Sequence, residues 1–213
     1  MAVAVSLLSA SLLAAGPAVL QMSVEPIAAA RGGVQRVDAP PLGFSSLLAC
    51  ARRQGAAIPV AHRGRADASQ PENSASGIVA ALRAETRVIE LDLRRTRDEV
   101  LFLHHDDTLA RTTGLAGAAG SASWRVLSAT YLTHDDGQTA GERPLKLADA
   151  FSIASHDAYL LLDLKDDSAT VSAVAATVNA GWQDRTAFIV YSVPQARAVR
   201  HALPGALIAL GAN

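Results

Sequence analysis

The chain has 213 residues with 19 Lys and Arg against 20 Asp and Glu, a formal charge of −1. It therefore carries no basic field that would recruit nucleic acid or anionic lipid. Hydrophobic residues make up 50% of it, with 15 Gly and 9 Pro, which excludes a disordered, collagen-like or coiled-coil chain. A single cysteine, Cys50, excludes an internal disulfide framework and a multi-thiolate metal site, and reads as a buried helix cysteine.

Residues Ala2 to Leu20 carry no charge and are rich in Ala, Leu and Val, and they lead to Ala28, Ala29 and Ala30 just before Arg31. Small residues at the first and third of those positions suit a signal-peptidase cut after Ala30. Residues 1–30 are thus expected to be a signal peptide and the protein to be exported, to the periplasm, the cell envelope or the medium. An uncleaved N-terminal membrane anchor and a misplaced start codon are the alternatives, because the run is about long enough to span a bilayer and no Lys or Arg precedes it. Arg31 to Leu42, with two glycines and two prolines, reads as a linker. The folded domain is expected over 43–213.

Phe44 to Arg53 has helical spacing of Phe44, Leu47, Leu48 and Ala51. Strands are then expected at Ile58 to His62, Val88 to Leu93, Val100 to His105, Tyr159 to Leu164, Ala187 to Tyr191 and Ala206 to Leu210. Helical patterns at Ala75 to Ala84, Leu145 to Ala154, Thr170 to Ala180 and Pro194 to Ala202 separate most of them. Alternating strand and helix predicts a parallel sheet covered by helices, an α/β fold.

Chemistry-bearing residues collect where these strands end. Alternation in Val88-Ile-Glu-Leu-Asp-Leu93 puts Glu90 and Asp92 on one face, opposite Ile89, Leu91 and Leu93. Two carboxylates on a buried strand require a cation or basic side chains beside them. The first strand ends in His62-Arg63-Gly64, the third in His104-His105-Asp106, and the fourth places Asp163 and Lys165 on one face. In a parallel sheet these ends share one edge, where α/β enzymes build their sites. An all-oxygen carboxylate set suits a hard cation such as calcium or magnesium. Arg, Lys and a metal can neutralise an anionic substrate, and two imidazoles can divide acid and base work near neutral pH, which predicts a bell-shaped pH profile. Among the remaining polar residues, Asn73 or Ser74 is expected to cap the next helix, His104 to pack, His134 to lie in a solvated loop, Asp166 to start a helix and Arg111 to anchor a loop.

The order and spacing of His62-Arg63-Gly64, Pro71-Glu72-Asn73, Glu90-Leu91-Asp92, His105-Asp106-Asp107-Thr108-Leu109-Ala110-Arg111-Thr112-Thr113, Arg143-Pro144-Leu145-Lys146-Leu147 and Asp163-Leu164-Lys165 resemble the glycerophosphodiester phosphodiesterase family, part of the phospholipase-C-like phosphodiesterases. The resemblance runs from about Ile58 to Asn213. It implies a TIM (β/α)8-type barrel that hydrolyses glycerophosphodiesters to an alcohol and glycerol 3-phosphate with a divalent cation, calcium or magnesium. By position, Glu90, Asp92 and Asp163 would hold the metal, and His62 and His105 would serve as acid and base. Arg63 and Lys165 would contact phosphate, with Glu72 in the substrate-binding group, orienting Arg63 or lying near the metal. The family more often has Glu where this chain has Asp163.

Barrels of this type occupy about 250 residues, so the sequence is expected to stop after about the sixth strand. The first and sixth strands would then be open edges favouring self-association. Two alternatives accompany the esterase reading: a non-catalytic truncated remnant, and a phospholipase-type diesterase acting on lysolipids or intact lipids. The expected partner is a small-molecule glycerophosphodiester, with a membrane entering only as lipid source or anchor point.

Overall fold

The computed structural model describes residues 43–154 and 158–211, together with the backbone of three short strands, β1 (Val3–Ser6), β2 (Leu20–Gln21) and β3 (Ser23–Glu25). The rest of the expected signal peptide and the whole of the linker at 31–42 lie outside the described residues. From Gly43 onward the order is α1 (Phe44–Gln54), β4 (Ile58–Ala61), α2 (Ala75–Arg83), β5 (Val88–Arg95), β6 (Leu101–Leu103), α3 (Ala110–Thr113), α4 (Trp124–Leu127), α5 (Leu147–Ala154), β7 (Tyr159–Leu164), α6 (Thr170–Asn179), β8 (Thr186–Val190), α7 (Val193–Ala202) and β9 (Leu207–Leu210). No helix among the described residues is long and apolar enough to cross a membrane.

Strands β4, β5, β7, β8 and β9 pair in parallel in that order, forming a curled half-barrel with helices outside. The third expected strand differs from expectation: β6 is antiparallel to the end of β5, with Leu93 opposite Leu103 and Arg95 opposite Leu101. The reason is chain length. Only residues 96–100 separate β5 from β6, enough for a hairpin but far short of a parallel crossover. Glu99 makes the reversal at φ 66°. The next parallel neighbour of β5 is therefore β7.

Alternation along the parallel strands divides the domain into two layers. Ile89, Leu91, Leu93, Leu160, Leu162, Leu164, Phe188 and Val190 face outward and pack with Ile78 and Ala81 of α2, Ala150 and Phe151 of α5, Val174 of α6 and Val199 of α7. Inward, the lower rungs are apolar: Val60, Val88, Tyr159, Leu161 and Ala187 cluster with Phe44 of α1, whose ring lies 5.2 Å from that of Tyr159. Helix α1 therefore plugs the bottom of the curl. Cys50 lies on this helix, free and only partly buried, more accessible than its apolar surroundings suggested. Register then raises polar residues at the top of the same face, with Asp92 level with Asp163.

Both edges expected to be open are paired. Strand β1 is antiparallel to β4 and β2 is parallel to β9, so both edges are covered while residues 1–30 remain attached. A shortened chain, Arg31–Asn213, would lose all three N-terminal strands and leave β4 and β9 each with an unsatisfied side. Light scattering after size exclusion is expected to show it self-associating where the full chain does not, because unpaired edges template intermolecular pairing.

Candidate active site at the top of the half-barrel

Strand β4 ends at Ala61 and the chain turns at once through His62–Gly64. Arg63 (φ 53°) and Gly64 (φ 68°) are both left-handed, and a Cβ on Gly64 would come within 2.7 Å of Leu91 Cδ2. The turn aims the Arg63 backbone N–H at Glu90, donating to Oε2 at 2.6 Å. It also brings His62 Nε2 to 3.9 Å from the same oxygen. The His62 side chain is about half exposed (49%). Partial burial and then the Arg63 charge hold its imidazole below the usual histidine range.

Glu90, Asp92 and Asp163 converge, each offering a carboxylate oxygen within 4.8 Å of the others, and all three are buried. Lys165 donates to Asp163 Oδ2 at 2.6 Å and lies 3.0 Å from Asp92 Oδ1. Although burial disfavours the Lys165 charge, Asp92 and Asp163 outweigh that effect and its pKa is raised. Tyr191 donates to Asp163 Oδ2 at 2.7 Å; burial, then that bond, raise its phenol to about 12, so it remains a donor. Asn73 brackets Asp92, donating from Nδ2 to Oδ2 at 2.8 Å and accepting the Asp92 backbone N–H at 3.1 Å.

These contacts leave the cluster incomplete. Glu90 Oε1 and Asp163 Oδ1 are buried without a partner. Three carboxylates face one ammonium, a local deficit of two positive charges. Burial, reinforced by Asp92, pushes Glu90 well above the usual carboxylate range, and burial raises Asp163 as well. Orphaned oxygens with a twofold charge deficit are the donor set of a hard divalent cation, so the three residues fit such an ion.

His105 reaches the site by another route. Its Nδ1 is 2.8 Å from Asp106 Oδ1. Arg111 grips Asp106 (Nε to Oδ2 2.7 Å, Nη2 to Oδ1 2.8 Å) and Glu72 (Nη1 to Oε2 2.9 Å, Nη2 to Oε1 2.6 Å). Glu72 also receives Arg63 Nη1 at 2.9 Å. Burial would raise the Glu72 carboxyl, but the bonds from Arg111 and Arg63 prevail and lower it. His105 is close enough to His62 for its charge to lower the His62 pKa.

The structure thus brings together His62, Glu90, Asp92, Asp163 and Lys165, and links Arg63, Glu72 and His105 through one ionic chain. Glu72, expected in the substrate-binding group, is 4% exposed and lies beneath two guanidiniums; it orients Arg63, one of the two roles expected for it. Ser74 is the helix cap, accepting Gly77 N–H, while Asn73 braces Asp92. His104 is buried and bonded to Thr108 and Thr112. Asp166, expected only as a helix start, takes an ion pair from Arg94. Asp106, Arg94 and Tyr191 were missed, although strand parity places Arg94 with Asp92, and Tyr191 with Ile189, on the inner face.

A curled α/β half-barrel with acids and histidines at its strand ends is the scaffold that results. The model of the glycerophosphoryl diester phosphodiesterase family matches residues 62–192, and the chain belongs to that family. It is 35% identical over 127 residues to "Probable glycerophosphodiester phosphodiesterase 2" of Mycobacterium tuberculosis, covering 60% of this chain and 44% of that protein. A glycerophosphoryl diester phosphodiesterase from Parabacteroides distasonis superposes with a TM-score of 0.63 at 27% identity, covering 70% of this chain and 52% of that one. A phosphodiesterase from Oleispira antarctica, solved with the product sn-glycerol-3-phosphate, has the same fold (TM-score 0.62, 22% identity, 70% and 63% covered). The chain spans about half the length of the first two relatives.

Two consequences are measurable. Gly64→Ala is expected to cost about 1–3 kcal/mol in urea unfolding, from a strained left-handed φ and the clash with Leu91. Asn73→Ala and Tyr191→Phe each remove a support of an acidic ligand and are expected to weaken calcium or magnesium binding about 10- to 100-fold by titration calorimetry.

Proposed function

We propose that the protein hydrolyses glycerophosphodiesters to an alcohol and glycerol 3-phosphate, with a calcium or magnesium ion held by Glu90, Asp92 and Asp163. The observation that carries this reading is the buried trio with two unpartnered oxygens, flanked by two histidines at one strand-end edge. The product seen in the Oleispira relative is in keeping with it. A bound divalent cation supplies Lewis-acid stabilisation of charge developing on the phosphoryl oxygens.

The chain's own residues supply the rest. The Lys165 ammonium lies beside the acidic trio and the Arg63 guanidinium beside Glu72, and the two cations neutralise the diester anion. Glu72 accepts Arg63 Nη1 and so restrains the guanidinium that would meet the phosphate. His62, its basic form favoured by burial, takes the proton of the attacking water or substrate hydroxyl. His105 keeps Nδ1 toward Asp106 and protonates the departing alcohol from Nε2. Each imidazole is a proton carrier on one side of the phosphorus, and such groups contribute about 10²–10⁴-fold.

The test is release of glycerol 3-phosphate from glycerophosphocholine by the purified chain with calcium, with magnesium and with chelator. Turnover is expected only with metal, and His62→Ala or His105→Ala is expected to lower kcat by about 10²–10⁴-fold without loss of fold. Absence of turnover from folded, metal-binding protein would overturn the assignment. Turnover on lysolipids alone would move it to the phospholipase-type reading.

A further inference from the structure

One buried charge has no part in the scheme above. Arg94 continues the inward row of Glu90 and Asp92 and is 6% exposed. Its guanidinium donates to the backbone carbonyl of His105 from Nε (3.3 Å) and Nη2 (2.9 Å), to Asp166 Oδ1 from Nη1 (2.6 Å) and to Asp107 Oδ1 from Nη2 (2.7 Å). Asp107 is 94% exposed, so that pair contributes little. The bonds to His105 and to Asp166, whose side chain is only 25% exposed, are the anchors.

The two anchors belong to different turns. His105 lies in the loop after β6, a strand that pairs in antiparallel register with the end of β5 and whose Leu103 N–H donates to the Leu145 carbonyl. Asp166 follows Lys165 at the end of β7, the strand that carries Asp163. We propose that Arg94 is a positioning residue that locks the His105 turn to the end of β7, fixing the His105 imidazole relative to the Glu90–Asp92–Asp163 centre. A planar fork suits this task because it meets a carbonyl and a carboxylate at once along different edges, which a lysine ammonium cannot do with the same rigidity. The inference rests on the catalytic role proposed for His105, but the lock itself is a property of the fold.

The experiment pairs hydrogen–deuterium exchange with kinetics on the full chain carrying Arg94→Ala and Arg94→Lys. Losing hydrogen bonds to a charged group is expected to raise amide exchange about tenfold or more in 104–109 and 165–169, while helices α2 and α6 remain as in the parent. In the kinetic arm, kcat for Arg94→Ala is expected to fall about 10²-fold, the scale of a misplaced catalytic group, with KM changed little and with partial recovery on adding guanidinium. Arg94→Lys is expected to fall between parent and alanine in both arms, and provides the folded comparison where Arg94→Ala does not fold. Unchanged exchange in both turns overturns the lock whether or not the protein turns over. Raised exchange with parental kcat, or a loss confined to KM, overturns the positioning role. A parent that is inactive on glycerophosphodiesters counts against the proposed function, and the exchange arm still decides the lock.

Discussion

Three carboxylates on two adjacent parallel strands face the same small buried volume, and the rest of the upper half-barrel is arranged around their mutual repulsion. Isolated in a low-dielectric interior they would take up protons rather than remain charged. The chain answers with one ammonium from Lys165, one backbone N–H from Arg63, one amide from Asn73 and one phenol from Tyr191. Four donors around six oxygens, with a single formal positive charge among them, leave the cluster poised for a further cation. That deficit distinguishes a binding centre from a structural ion pair, whose charges balance internally.

The cost of such a centre explains the layering beneath it. The strands that carry the acids are buried on both faces, so their stability depends on outward-facing Ile, Leu and Phe packed under the helices and on the apolar rungs closed by Phe44. The acids come above the apolar rungs of β5 and β7, where Asp92 and Asp163 meet in register. One residue of register slip would turn both toward the helices and the leucines toward the site. The outward apolar row therefore fixes the geometry of the centre as surely as the polar partners do.

Much of this was legible in the sequence because strand parity is a short-range rule. The inward row of Glu90 and Asp92, the pairing of Asp163 with Lys165 and the α/β alternation all follow from period-two patterning read strand by strand. Parity could not tell that Val100 to His105 forms a hairpin. Pairing direction depends on the connection, and the five residues after β5 were the available signal. Nor does parity extend into loops, which is why Asp106 and Arg111 escaped notice as partners of His105 and Glu72, and why the cap could not be assigned between Asn73 and Ser74. Its left-handed φ of 55° turns the amide back onto Asp92, leaving the cap to Ser74. Tyr191 was different in kind: it sits one residue beyond the end of β8, where the inward row continues after regular hydrogen bonding has stopped.

The side chains that escaped parity are joined to one another by charge, and this affects how the site can fail. Glu72 is buried beneath Arg63 and Arg111, and Asp106 joins Arg111 to His105, so five charged or chargeable groups from the β4–α2 connection, the β6–α3 connection and helix α3 form one continuous chain. At Glu72, the one buried member of this network, losing a guanidinium leaves the carboxylate desolvated and less fully paired, an effect larger than the net contribution of the pair itself. Arg94 forms a second, separate bridge beneath the same histidine. His105 is thus held through its ring by one network and through its carbonyl by another. Its ring position can be disturbed from either side without a change in any residue that touches substrate. The acidic centre is held differently, by two neighbouring strands in register, with the β4–α2 connection adding the Arg63 N–H and the Asn73 amide to its carboxylates.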